Sequence, residues 1–216
     1  MSSYKLAEGL YIFPTPAGAY YAVSSKDSDR SRQFLRSLFR QRQTPRLTLE
    51  LLQNLMGVAE PNKCYDILHH CQKLGLVQGF QQEIKAPVGI LEKILPDMLG
   101  AIAENGKVLL SDNQGFYLAS HGFVHEVAEE LSALSAEIAR VYERRSGLLL
   151  KNMGLASQAW AVVDAAGNSQ VGFWPLFIGN TRFVVAISGI PHFNQAEFVK
   201  LVWALSVRYA ENQHTD

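Results

Sequence analysis

Between Val124 and Arg145 the sequence holds a helical period for about six turns, longer than any other regular stretch of the chain. Val124, Val127, Ala128, Leu131, Leu134, Ile138 and Tyr142 form one apolar stripe, with Ala128, Ser132, Ala133, Ser135, Ala136 and Ala139 supplying small residues around it. A stripe of that length has to be buried, and the neighbouring segments read as a sheet able to cover it. Three strand-like runs follow, 158–163, 170–178 and 182–188, separated by the turn clusters Ala165-Ala166-Gly167-Asn168 and Gly179-Asn180-Thr181. Ahead of the helix, Lys107–Ser111 and Phe116–Ser120 read as a hairpin about the turn Asp112-Asn113-Gln114-Gly115. A helical period over Leu91–Glu104 contains Pro96, so that helix either starts near the proline or is kinked by it. A last helix is expected from about Asn194 to Asn212, with Phe198, Leu201, Val202 and Leu205 inward.

The first 84 residues have a different texture. Leu10–Val23 (LYIFPTPAGAYYAV) is rich in aromatic and β-branched residues and is interrupted by Pro14-Thr15-Pro16-Ala17-Gly18. That pattern predicts two short strands in a hairpin. Asp27, Ser28 and Asp29 offer caps for a helix reaching about Gln41, with Phe34, Leu35, Leu38 and Phe39 on one face and Arg32, Arg36 and Arg40 aligned on another. Thr48 caps a short helix carrying Leu49, Leu51, Leu52, Leu55 and Met56. A third helix begins at Glu60-Pro61, places Cys64, Ile67, Leu68, Cys71 and Leu74 inward, and stops at Gly75. Leu76–Phe80 then reads as a strand.

Composition narrows the class. Twenty Lys+Arg balance twenty Asp+Glu, and 48% of residues are hydrophobic, a globular mix with no overall demand for a polyanion. The charge is divided unevenly: residues 1–85 carry 11 basic and 7 acidic side chains, the rest 9 and 13. Two domains with different partners are therefore expected, residues 1–84 and residues 85–216. Met1-Ser2-Ser3-Tyr4-Lys5 does not read as a secretory signal, and no apolar run nears the length of a membrane span. With two cysteines and no disulfide framework, a cytoplasmic protein without membrane insertion is expected.

Motifs for common chemistry are missing. There is no Gly-x-x-x-x-Gly-Lys-Ser/Thr loop, no Gly-x-Ser-x-Gly elbow and no His-Glu-x-x-His. Cys64 and Cys71 share the apolar face with Ile67 and Leu74 and are expected to be packed thiols, while His121 and His125 lack a third ligand. The expectation is a protein that is not an enzyme and uses no metal or cofactor.

Helix, short helix, turn, longer helix, Leu74-Gly75-Leu76-Val77 and strand is a layout that resembles a winged helix-turn-helix, of the PqqD-like peptide-binding kind as much as the DNA-binding kind. The order α-β-β-α-β-β-β-α over residues 90–212, with Asp112-x-x-Gly115-x-x-Leu118-Ala119-x-x-Gly122 leading into Glu130-Leu131-Ser132-Ala133-Leu134-Ser135-Ala136, resembles the Roadblock family. The resemblance implies an α+β fold with a five-stranded antiparallel sheet, the first and last helices on one face and the long helix on the other. It also implies self-pairing and, as a partner, a small Ras-like GTPase. Exposed residues of the long helix, Glu126, Glu130, Glu137 and Arg140, are then the expected contacts, and its small residues are expected to let a second copy approach. The alternative is a dimeric winged-helix transcriptional regulator. It would contact DNA, or an acidic partner, through Arg32, Arg36, Arg40, Lys63, His70 and Lys73. A merely solvated face is the competing reading of the arginines.

Overall fold

The computed structural model describes residues 5–155 and 157–210. Strand β1 (Tyr11–Pro14) opens the fold and leads directly into helix α1 (Pro16–Val23). The expected hairpin is therefore corrected: Tyr20–Val23 is helical, not a return strand. Thr15 caps α1 by accepting the Gly18 amide, and Pro16 takes the first turn, where its missing N–H costs nothing. Gly18 is required for a second reason, since a Cβ there would sit 1.9 Å from the Leu76 carbonyl oxygen. The partner of β1 comes from much further along, strand β2 (Val77–Phe80), antiparallel with Tyr11 opposite Phe80 and Pro14 opposite Val77.

Between these strands lie α2 (Arg30–Phe39), α3 (Leu49–Met56) and α4 (Pro61–Lys73). Asp29 and Thr48 cap the first two as their side chains predict, Gly57 ends α3 in the left-handed region, and Gly75 does the same after α4. After β2 the chain makes a single bridge, Lys85 with Gln43, before the next helix, so β2 pairs with β1 and not with a following strand.

Helix α5 (Leu91–Ala101) has Pro96 inside it, so it does not start at the proline, and it gives up one backbone bond there. Strands β3 (Ala103–Ser111) and β4 (Tyr117–His121), helix α6 (His125–Ser146), a π-helical stretch (Gly147–Asn152), strands β5 (Trp160–Val163), β6 (Ser169–Ile178) and β7 (Thr181–Pro191), and helix α7 (Ala196–Ala210) complete the order. The sheet is antiparallel throughout, ordered β4-β3-β7-β6-β5. Strand alternation sorts its two faces. Val108, Leu110, Leu176, Ile178, Phe183, Val185 and Ile187 point to α5 and α7, whereas Leu109, Phe173, Val184 and Ala186 point to Leu131 and Ile138 of α6.

The first face of the sheet also carries the N-terminal helices. A single hydrophobic cluster takes in Phe13, Ala19, Phe34 and Leu38 together with Leu99, Phe198 and Trp203. Trp203 packs on Phe13 with ring centroids 4.1 Å apart and donates its indole N–H to the Gln41 carbonyl at 2.6 Å. Tyr20 stacks on Phe193. Residues before and after position 85 thus share one core.

Candidate interaction surface

Four of the six small residues along the α6 stripe are spent inside the fold. Ala128, Ser132, Ser135 and Ala136 are buried, with the Ser132 and Ser135 hydroxyls donating to the Ala128 and Leu131 carbonyls at 2.7 Å. Their size admits the β3–β4 turn, where a Cβ on Gly115 would meet Ala133 and Ala136 at 3.4 Å. For these four the expectation that they receive a second copy is corrected on that ground, while Ala133 is exposed and Ala139 half-buried. The apolar stripe itself divides: Leu131, Ile138 and Tyr142 face the sheet, while Val127, Leu134 and Val141 stand exposed at heptad spacing.

Past α6, Leu148, Leu150, Met153 and Leu155 are exposed as well. β5 is a sheet edge with all four residues exposed; Val162 is 54% and Val163 56% accessible. Its inner side pairs with β6 from Trp160 opposite Phe173 to Val163 opposite Ser169. Its outer side has no strand beside it among the described residues. The other edge, β4, is different, with Ala119 buried and α5 packed close enough that a Cβ on Gly100 would strike the His121 ring. The open edge is nevertheless held firmly at its far end. Asp164 accepts the amides of Ala166 and Asn168, both at 2.9 Å, and the side chains of Asn168 and Gln170, which pin the β5–β6 turn. The Asn168 backbone bond leads the contacts that hold its carboxyl below the usual range.

Glu126, Glu130, Glu137 and Arg140 all lie on the exposed part of α6. The six residues expected to touch DNA or an acidic partner do not form one surface. Arg32 is buried; it donates to the Tyr21 carbonyl, pairs with Asp29 at 3.2 Å and lies over the Tyr21 ring. Arg36 donates to the carbonyls of Ala22 and Ser25. Both arginines therefore cap the C-terminal end of α1, a structural use that removes them from the solvated face. Arg40 is exposed, as are Lys63, His70 and Lys73 on α4, where Lys63 is paired with Glu60 at 2.7 Å.

Cys64 and Cys71 are free and buried, Cys64 lying 3.3 Å from the Val58 carbonyl, and burial pushes both thiols up. His125 meets the Tyr117 hydroxyl at 2.7 Å and Glu129 at 3.5 Å, and among the described residues no group of His, Cys, Asp and Glu is arranged to hold a metal ion. No described helix is long and apolar enough to cross a membrane. Sequence reasoning missed the exposed edge at Trp160, Val162 and Val163. It also missed Lys26, Glu143 and Arg182, which come together only in the fold: Glu143 accepts Lys26 at 3.2 Å and Arg182 at 2.6 Å through the same oxygen.

No family model matches the chain, and no curated protein does. Among solved structures it is similar to MglB of Myxococcus xanthus, at 12% identity over 61% of this chain and 98% of that one, with a TM-score of 0.35. It is similar to a Roadblock/LC7 domain from Streptomyces avermitilis, at 13% identity over 54% and 94%, TM-score 0.33. The gliding protein MglB of Thermus thermophilus is matched at 19% identity over 59% and 96%, TM-score 0.36.

Proposed function

We propose that the protein is a non-catalytic cytoplasmic adaptor that pairs with itself through residues 85–216 and presents α6 to a small Ras-like GTPase. The open edge of β5, with its exposed Trp160, Val162 and Val163, is the observation that carries self-pairing. An uncovered strand edge offers a row of free N–H and C=O groups, and an apolar surface beside it gains from leaving water. A second copy of the same edge satisfies both at once, with two-fold symmetry. The GTPase rests on the Roadblock resemblance, and the exposed Glu126, Glu130, Glu137 and Arg140 supply the surface it needs. By binding one nucleotide state more tightly, the adaptor shifts the switch-loop population of its partner. Residues 1–84, in the winged-helix reading, take a second partner.

Two measurements test this. Light scattering after gel filtration is expected to give a dimer for the wild type and a monomer for Val162→Lys with unchanged circular dichroism; a monomeric wild type defeats self-pairing. Pull-downs with a GTP analogue and with GDP are expected to recover a small GTPase in one state, lost in Glu126→Lys/Glu130→Lys. Recovery of DNA without a GTPase would replace the proposal by the transcriptional-regulator alternative.

A further inference from the structure

The segment between α1 and α2, the later turns of α6 and the tight turn joining β6 to β7 enclose a cleft of about 540 Å3. Four cationic side chains line it, Lys26, Arg36, Arg140 and Arg182, and one carboxylate, Glu143. Arg40 stands in the crevice alongside, with Arg36 in the wall between. Glu143 is already divided between Lys26 and Arg182. Arg36 is hydrogen-bonded to neutral carbonyls, and the Asp29 and Asp27 carboxylates offset its charge only in part. Burial, with Arg32 and Arg40 nearby, pushes its pKa down. Arg140 has no hydrogen-bond or ion-pair partner among the described residues, and the Nε of Arg182 is buried with none. A buried donor left unmatched is unfavourable, and like charges gathered in a partly desolvated cleft repel. Phe177 gives the cleft an apolar wall, over which Lys26 is held 5.6 Å from the ring centroid, and Asn113, Asn180 and Thr181 add neutral polar groups.

We propose that this cleft binds a phosphate group, free or on a small ester such as a nucleotide. Lys26 and Arg140, both exposed and backed by the fixed charges of Arg36 and Arg182 against one carboxylate, match a compact dianion with several acceptor oxygens better than a single carboxylate. The volume admits a ligand of nucleotide size. The walls come from both sides of residue 85, so the bound phosphate bridges the N-terminal helices and the sheet. The site shares Arg140 with the surface offered to the GTPase, but Glu126 and Glu130 do not line it, so variants at those two residues separate the readings.

Calorimetric titration of the full chain at low ionic strength uses inorganic pyrophosphate, ADP and acetate as probes. Saturable pyrophosphate binding is expected, with acetate at least about tenfold weaker, since charge-assisted bonds to a polyanion accumulate. ADP tighter than pyrophosphate assigns a nucleotide as the source, and equal affinity assigns free phosphate; either upholds the site. The variant Lys26→Glu/Arg140→Glu changes two exposed side chains and is expected to lose binding by about tenfold or more with its melting curve retained. Glu126→Lys/Glu130→Lys is expected to bind pyrophosphate at least as well as the wild type. Absence of saturable pyrophosphate binding by the wild type, or equal affinity in the Lys26/Arg140 variant, overturns the proposal.

Discussion

Replacing Trp203 by Phe probes whether the helices before residue 85 and the sheet after it stand or fall together. The substitution keeps an aromatic ring in the shared core but removes the indole N–H that reaches Gln41, and trims the contact with Phe13. Losing the bond and leaving a part-buried carbonyl unmatched costs about 1–2 kcal/mol, and the lost ring area brings the total to about 2 kcal/mol. For a chain of this length that lowers Tm by about 4–8 °C. The measurement is thermal unfolding by far-ultraviolet circular dichroism, dominated by the helices, beside the fluorescence of Trp160 and Trp174, which lie on β5 and β6. Both signals are expected to shift together. A helical transition that moves while the tryptophan transition stays in place would refute a common core, as would no shift at all.

Gly18→Ala is expected to destabilise by about 1–3 kcal/mol or more, because the new Cβ meets the backbone of Leu76, which cannot rotate away; chemical denaturation measures it. Burial alone would raise the Asp29 carboxyl, but the Arg32 amide, the Tyr21 hydroxyl and the Arg32 guanidinium outweigh it and hold its pKa down. Its stabilisation is therefore complete above the unfolded value of about 4 and disappears as pH falls through the lower folded value. Asp29→Asn, which keeps a capping side chain, is expected to be less stable than the wild type at neutral pH and equal to it in strong acid, read from denaturation midpoints across that range. Cys64 and Cys71 are expected to resist a disulfide reagent in the native protein and to react fully once it is unfolded.

The half after residue 90 was legible because its periods are unambiguous. β6 and β7 alternate between two buried faces about Gly179-Asn180, and α6 repeats an apolar residue at every turn. α1 was not, because Tyr20, Tyr21 and Val23 favour a strand by composition. Only the Thr15-Pro16 start, read as a cap with proline in the first turn, points to a helix. That one misreading hid a second fact. A helix ending near Val23 leaves carbonyls that need donors, and Arg32 and Arg36 supply them, so two arginines that look like a solvated stripe are structural. The edge at β5 was illegible for a different reason. Trp160, Val162 and Val163 carry the composition of a core strand, and only the strand order shows that the sheet ends there.

The pairing of β1 with β2 bears on how the chain comes to be folded during its synthesis. Residues Tyr11–Pro14 have only the bridge from Tyr11 to Arg46 until Val77–Phe80 has been made, and Phe13 still lacks the Trp203 ring that completes its packing. The first strand therefore waits for its last neighbour until α7 has been made, with only Phe39 of α2 packed on Phe13 in the interval. Agents that shield nascent chains are expected to act on the N-terminal segment, and a ribosome stalled before α7 is expected to hold a helical half open to protease.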